Sequence, residues 1–117
     1  MRFSQTEQAG RFRAMHRTGR TFVIPNAWTV GTAVKLAELG FASIATTSAG
    51  IAMELGLDDG QAGRDHMLAV AGAIANAVDV PVSADLENGF ADDPEGCART
   101  IRAAMALGLA GGSIEDA

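Results

Sequence analysis

Short apolar runs alternate along this chain with longer stretches of helical spacing, and that alternation constrains the fold more than any other feature. Residues 21–28, 41–48, 80–87 and 112–116 read as strands. The Phe22-Val23-Ile24 run is continuously apolar, the mark of a strand covered on both faces. Between the strands, residues 30–39 and 61–78 carry apolar positions three and four apart, which gives one helical stripe each. A further helix opens at Asp93-Pro94-Glu95, with Asp as N-cap, Pro at the first position and an acid in the first turn, and closes at Gly108. Ser4 followed by Glu7 sets a capping box for an N-terminal helix over residues 4–18. Residues 49–60 read as a Gly-containing loop, longer than the roughly two to six residues usual for such connections. Strands that alternate with helices require a parallel sheet with right-handed crossovers, so the class is α/β.

A faint repeat sharpens this. Leu39-Gly40-Phe41-Ala42 recurs as Leu107-Gly108-Leu109-Ala110. The interval suits two βα units of the roughly 30-residue size that a barrel of about 250 residues implies. Four βα units behind an N-terminal helix are the first half of a (β/α)₈ TIM barrel, with residues 1–117 as a single domain. A small doubly wound sheet is the alternative. Both folds gather ligands at the C-terminal strand ends.

With 48% hydrophobic and 20% charged residues, the chain can build a core and is not a disordered tail. Its net charge of −5 disfavours nucleic acid and anionic membrane as partners. No apolar run is long enough to span a bilayer, and no apolar h-region follows the N-terminal arginines. The single Cys97 cannot form an internal disulfide. These features together fit a cytoplasmic location.

The chemistry concentrates at the strand ends. The first strand ends in Asn26 and Trp28, and the second in Thr46, Thr47 and Ser48, with Asp58 and Asp59 in the loop beyond. The third ends in Asp85 and Glu87, before an Asn88-Gly89 turn, and the fourth in Glu115 and Asp116. Read as strand residues, Asp85 and Glu87 share a face, while Glu115 and Asp116 point apart, so Glu115 is taken as the third acid of the mouth. Carboxylates from neighbouring strands suit a hard cation such as Mg²⁺, which takes one or two carboxylates, waters and substrate oxygens. The hydroxyls and backbone amides near Thr47 suit an anion beside it.

At this point the residues resemble a known family, the isocitrate lyase and phosphoenolpyruvate mutase superfamily. The matching segments are Pro25-Asn-Ala-Trp28, Thr46-Thr-Ser-Ala-Gly-Ile-Ala52, Leu55-Gly-Leu-Asp-Asp-Gly60, Pro81-Val-Ser-Ala-Asp-Leu-Glu-Asn-Gly-Phe90 and Gly112-Ser-Ile-Glu-Asp116. The resemblance implies a Mg²⁺-dependent enzyme that makes or breaks a C–C or P–C bond next to an α-keto acid carboxylate, through an enolate. It implies that Asp85, Glu87 and Glu115 serve the metal. It places Thr47, Ser48 and Ala49 on the segment that binds substrate carboxylate and enolate oxygen, Trp28 on the pocket wall, and Asp59 on a mobile loop as the catalytic residue that acts in the mutase branch. The pattern Asp85-x-Glu87-x-Gly89 is closest to the mutase-like branch, with Glu87 where Asp is more usual. The lyase members carry a Lys-Arg-Cys-Gly-His motif after the strand of Glu115; the 117 residues do not contain it, and Cys97 does not inherit its role. The alternative is a truncated, non-catalytic fragment or a metal-binding module of the same fold. An incomplete barrel leaves open sheet edges, so a homo-oligomer, or a partner completing the barrel, is expected, with a small α-keto or dicarboxylic acid as ligand.

Other polar residues have plainer readings. His16 and His66 sit on helices away from the strand ends and suit surface or capping roles. Met53, Met67, Met105 and Cys97 suit packing.

Overall fold

The computed structural model describes residues 2–116. Its elements in chain order are α1 (Gln5–Met15), β1 (Asn26–Ala27), α2 (Val30–Glu38), β2 (Ile44–Thr46), α3 (Ser48–Glu54), α4 (Arg64–Ala77), β3 (Val82–Asp85), α5 (Pro94–Ala106) and β4 (Gly111–Ser113). The four strands are all parallel and lie in the order β1-β2-β3-β4. That order decides between the two topologies. A doubly wound sheet reverses direction at a switch point, whereas a barrel adds each strand beside the last. This is the sheet of a partial TIM barrel.

The strands are shorter than the sequence suggests, for a reason of register. Asn26 pairs with Ala45, so residues 22–24 would need partners before Ile44. Those positions, 41–43, follow directly on the turn at Gly40, whose φ is +95°, and are not strand. The Phe-Val-Ile run therefore has no paired strand, and Val23 is exposed. β3 likewise ends at Asp85 and β4 at Ser113, which leaves Glu87 and Glu115 beyond the strands.

Helices cover one face of the sheet. Ile44, Val82, Ala84 and Leu86 are buried there with Leu68, Ala71 and Ile74 of α4, Ala104 of α5, and Leu109. The opposite face is a row of small residues in register, Ala45, Ser83 and Gly111. Phe12 of α1 lies against Gly111, so closely that an added Cβ would sit 2.9 Å from its ring.

The α1 helix has the capping box that its sequence promises, with Ser4 Oγ accepting from Glu7 N and Glu7 Oε1 accepting from Ser4 N. Gln5 Nε2 donates to Leu109 O at 3.0 Å, and Gln8 Nε2 and Arg11 Nη1 donate to Asp79 O at 2.9 and 2.8 Å. Both carbonyls precede β3 or β4, so α1 is fastened to the end of the sheet opposite the acidic residues. Among the described residues, no helix is long and apolar enough to cross a membrane.

Residues 49–60 are not wholly a loop. α3 starts just before them at Ser48 and runs to Glu54, with Thr47 as N-cap accepting from Gly50 N at 3.3 Å, and Ile51 and Ala52 buried. Gly50 hides this helix from propensity, since Gly disfavours helix interiors. It is needed there because Trp28 Cβ lies 3.0 Å from where a Cβ would stand.

Candidate active site

Asp85, the last residue of β3, is held on every side. Its N–H donates to Thr46 Oγ1 of β2 at 2.9 Å. Its Oδ2 accepts from Ser48 N at 2.8 Å, and its Oδ1 from Glu87 N at 3.1 Å. The first turn of a helix leaves N–H groups without helical partners; here a carboxylate from the neighbouring strand takes one of them. Ser48 in turn donates its hydroxyl to Asp59 Oδ1 at 2.8 Å. One serine thus links the end of β3 to the loop that follows α3.

Glu87 reaches the mouth by a turn and not by strand alternation. Its φ is +52°, and Phe90 has φ +54°. A left-handed residue with a side chain costs roughly 1–2 kcal/mol, so two within four positions mark a turn held by its surroundings. Glu115 N donates to Glu87 O at 2.8 Å and ties the segment after β4 to it. Asp59, Gly60, Glu87, Asn88, Phe90 and Glu115 line one open cavity of about 480 Å³.

The charge in this cavity is uncompensated. Among the described residues, Glu87 Oε2 is a buried side-chain oxygen without a hydrogen-bond partner. Burial raises the Glu87 carboxyl above its ordinary 4.5, and the nearby charges of Asp59, Asp85 and Glu115 push the same way. Among the described residues, no three His, Cys, Asp or Glu side chains are grouped so that they could hold a metal ion between them. Both Asp85 oxygens already accept backbone N–H groups. The donors therefore fit a hydrated hard cation, which keeps most of its waters, and not a closed all-protein cage. An orphaned carboxylate oxygen amid three further acids is the feature that suits such an ion.

The other expected residues divide. Thr47 and Ser48 sit at the start of α3 beside Asp85, with Ser48 buried and Ala49 exposed. Trp28 stands apart from the acidic cavity. It lines a separate apolar groove of about 400 Å³ with Ile51, Leu55, His66 and Val70. His66 therefore faces a groove, while His16 stacks edge-on against Phe12 and Phe22. Asp58, Asp116 and Asn26 are exposed. Sequence reasoning missed Gly60 and Phe90 as lining residues, and also buried Thr100, whose hydroxyl donates to Gly89 O at 2.7 Å. Residue type alone carries no signal for these three.

The sequence pattern of the family described as phosphoenolpyruvate phosphomutase matches residues 12–117. The chain belongs to that family. Its relatives are consistent with the membership. The phosphomutase-family chain is 39% identical over 106 residues to the uncharacterized protein Rv1998c of Mycobacterium tuberculosis, covering 90% of this chain and 40% of that protein. A Burkholderia cenocepacia structure described as a candidate lyase/mutase superposes with a TM-score of 0.94 at 50% identity, over 97% of this chain and 41% of the other. The structure of 2,3-dimethylmalate lyase, a member of the PEP mutase/isocitrate lyase superfamily, gives a TM-score of 0.85 at 30% identity, over 93% and 40% of the two chains. The chain spans about two fifths of the length of each relative. This phosphomutase-family chain therefore sits in a superfamily of mutases and lyases and has the fold of its neighbours' matching part.

Proposed function

We propose that this chain carries part of a Mg²⁺-dependent site that makes or breaks a C–C or P–C bond beside an α-keto or dicarboxylic acid. The observation that carries this reading is the buried, unpartnered Glu87 Oε2 in a cavity shared with Asp59 and Glu115. Glu87 and Glu115 hold the hydrated ion, and Asp85 anchors Glu87 N and Ser48 N around it. Bound Mg²⁺ supplies Lewis acidity at the keto oxygen and carboxylate, which stabilises enolate charge as the bond breaks. Thr47 and Ser48 offer hydroxyls to the substrate's anionic end. Asp59, drawn to Ser48, holds its loop over the cavity and restricts water. β1 and β4 are both edge strands, so each offers open backbone groups on which a further strand, such as one from a second copy, can pair.

Calorimetric titration with Mg²⁺ tests the metal. Wild type binds, and Glu87→Ala weakens binding at least about tenfold, or ~1.4 kcal/mol. No binding in wild type, or an unchanged affinity in the variant, overturns the reading. Turnover assays with oxaloacetate, isocitrate-type acids and phosphonopyruvate then separate lyase from mutase chemistry. A second reading, a non-catalytic module of the same fold, is favoured by the lack of a three-ligand grouping among the described residues. Metal-dependent turnover lost in Glu87→Ala removes it.

A further inference from the structure

The left-handed turn that carries Glu87 has no helix or strand of its own to hold it. Asp85 Oδ1 and Glu115 N each bond the backbone of Glu87, and the rest of the turn lies against α5. Thr100 is almost fully buried on that helix, and its hydroxyl lies 2.7 Å from Gly89 O and 3.3 Å from Gly96 O. A threonine hydroxyl has one proton. Arg64 Nε, at the start of α4, donates to the same Oγ1 at 3.4 Å. With that donor in place, the hydroxyl accepts from Arg64 and gives its proton to the nearer carbonyl, that of Gly89. Two further contacts close the turn. Gly89 N donates to Leu86 O at 2.7 Å, and Cys97 lies so close that a Cβ on Gly89 would meet its Sγ at 2.5 Å.

We propose that Thr100, oriented by Arg64, is the positioning residue that holds the Glu87 turn in its left-handed form and so aims the carboxylate into the acidic cavity. Thr100 touches no reacting group in this scheme and acts through Gly89. Its functional weight rests on the reading of Glu87 as a site acid, but its geometry does not.

The test is NMR on the full 117-residue chain. Thr100→Val keeps the shape and removes the hydroxyl. In it the Glu87 and Phe90 Cα shifts leave the left-handed range, and Gly89 amide exchange rises about tenfold. Thr100→Ser returns both to wild-type values. The amides of Ala84 and Ile74 hold their protection, which separates a local loosening from a global one. Unmoved shifts and exchange in Thr100→Val overturn the proposal. If that variant does not fold, Arg64→Leu decides. It leaves the hydroxyl without its orienting donor, so Gly89 exchange rises by roughly threefold, and an unchanged rate overturns the proposal. A wild-type chain that ignores Mg²⁺ sinks the metal reading and leaves this clamp standing. A turn unmoved by Thr100→Val does the reverse.

Discussion

Ser48 N donates to Asp85 Oδ2 at 2.8 Å, so the start of α3 is fastened to the end of β3 by a carboxylate. Asp85 is thereby a structural acid. Its second oxygen holds Glu87 N, and its own N–H holds Thr46 Oγ1. Asp85→Asn keeps the size and replaces one acceptor oxygen by an NH₂ group, which then faces a backbone N–H. Hydrogen bonds to charged groups are worth about 1.5–3 kcal/mol. Urea unfolding is expected to show a loss of about 2 kcal/mol, without any metal present. A loss confined to metal-loaded protein would mean that these bonds do not stabilise the fold.

Glu87 makes stability depend on pH. Burial first, then Asp59, Asp85 and Glu115, raise its carboxyl above the ordinary 4.5. The native state therefore binds its proton more tightly than the unfolded chain does. This contribution is fully present below the ordinary value and is lost as pH rises through the raised one. Glu87→Gln removes the charge and should raise the melting temperature at neutral pH. The gain should shrink as pH falls through the raised value and be gone below 4.5. A gain that is constant with pH would show that repulsion among these acids is not its source.

Two glycines give opposite outcomes. Gly89 has φ +87°, and a Cβ there would lie 2.5 Å from Cys97 Sγ. Gly89→Ala combines backbone strain with overpacking and should cost about 2–4 kcal/mol. Gly10 lies within α1, is exposed, and has nothing within 4 Å of an added Cβ. Gly10→Ala should stabilise by about 0.5–1 kcal/mol. Chemical denaturation of the pair checks both signs.

The α1 helix is held mainly by its side-chain bonds to Asp79 and Leu109 carbonyls and by the Phe12 contact. Ser4→Ala removes the cap and should cost about 1 kcal/mol. Gln8→Ala leaves Asp79 O with Arg11 as its remaining side-chain donor and should cost about 1 kcal/mol. Hydrogen exchange should show α1 opening ahead of β3 in either variant. Simultaneous opening of both would show that α1 and the sheet unfold as one unit.

Much of this was legible in the chain. The strand–helix alternation and the Leu-Gly repeat pointed to a parallel sheet of barrel type, and Ser4, Glu7, Asp93 and Pro94 marked helix starts that the structure keeps. Capping and periodicity are local, so a sequence carries them openly. The strand bounds were not legible. A strand exists only where its neighbour lies in register, and residues 22–24 lack one because β2 starts late. The α3 helix was hidden by Gly50, whose presence answers to Trp28 and not to helix propensity.

The sequence by itself determined which acids this protein has and that they follow its strands; residue identity and spacing suffice for that. Tertiary structure alone decided their surroundings. It turned Asp85 inward as a clamp for two N–H groups, brought Glu87 to the mouth through a left-handed turn in place of strand alternation, and put Trp28 in a separate groove. Those outcomes depend on which backbone groups lie opposite each side chain after β2, β3 and β4 pair, and no pattern along the chain encodes that distance.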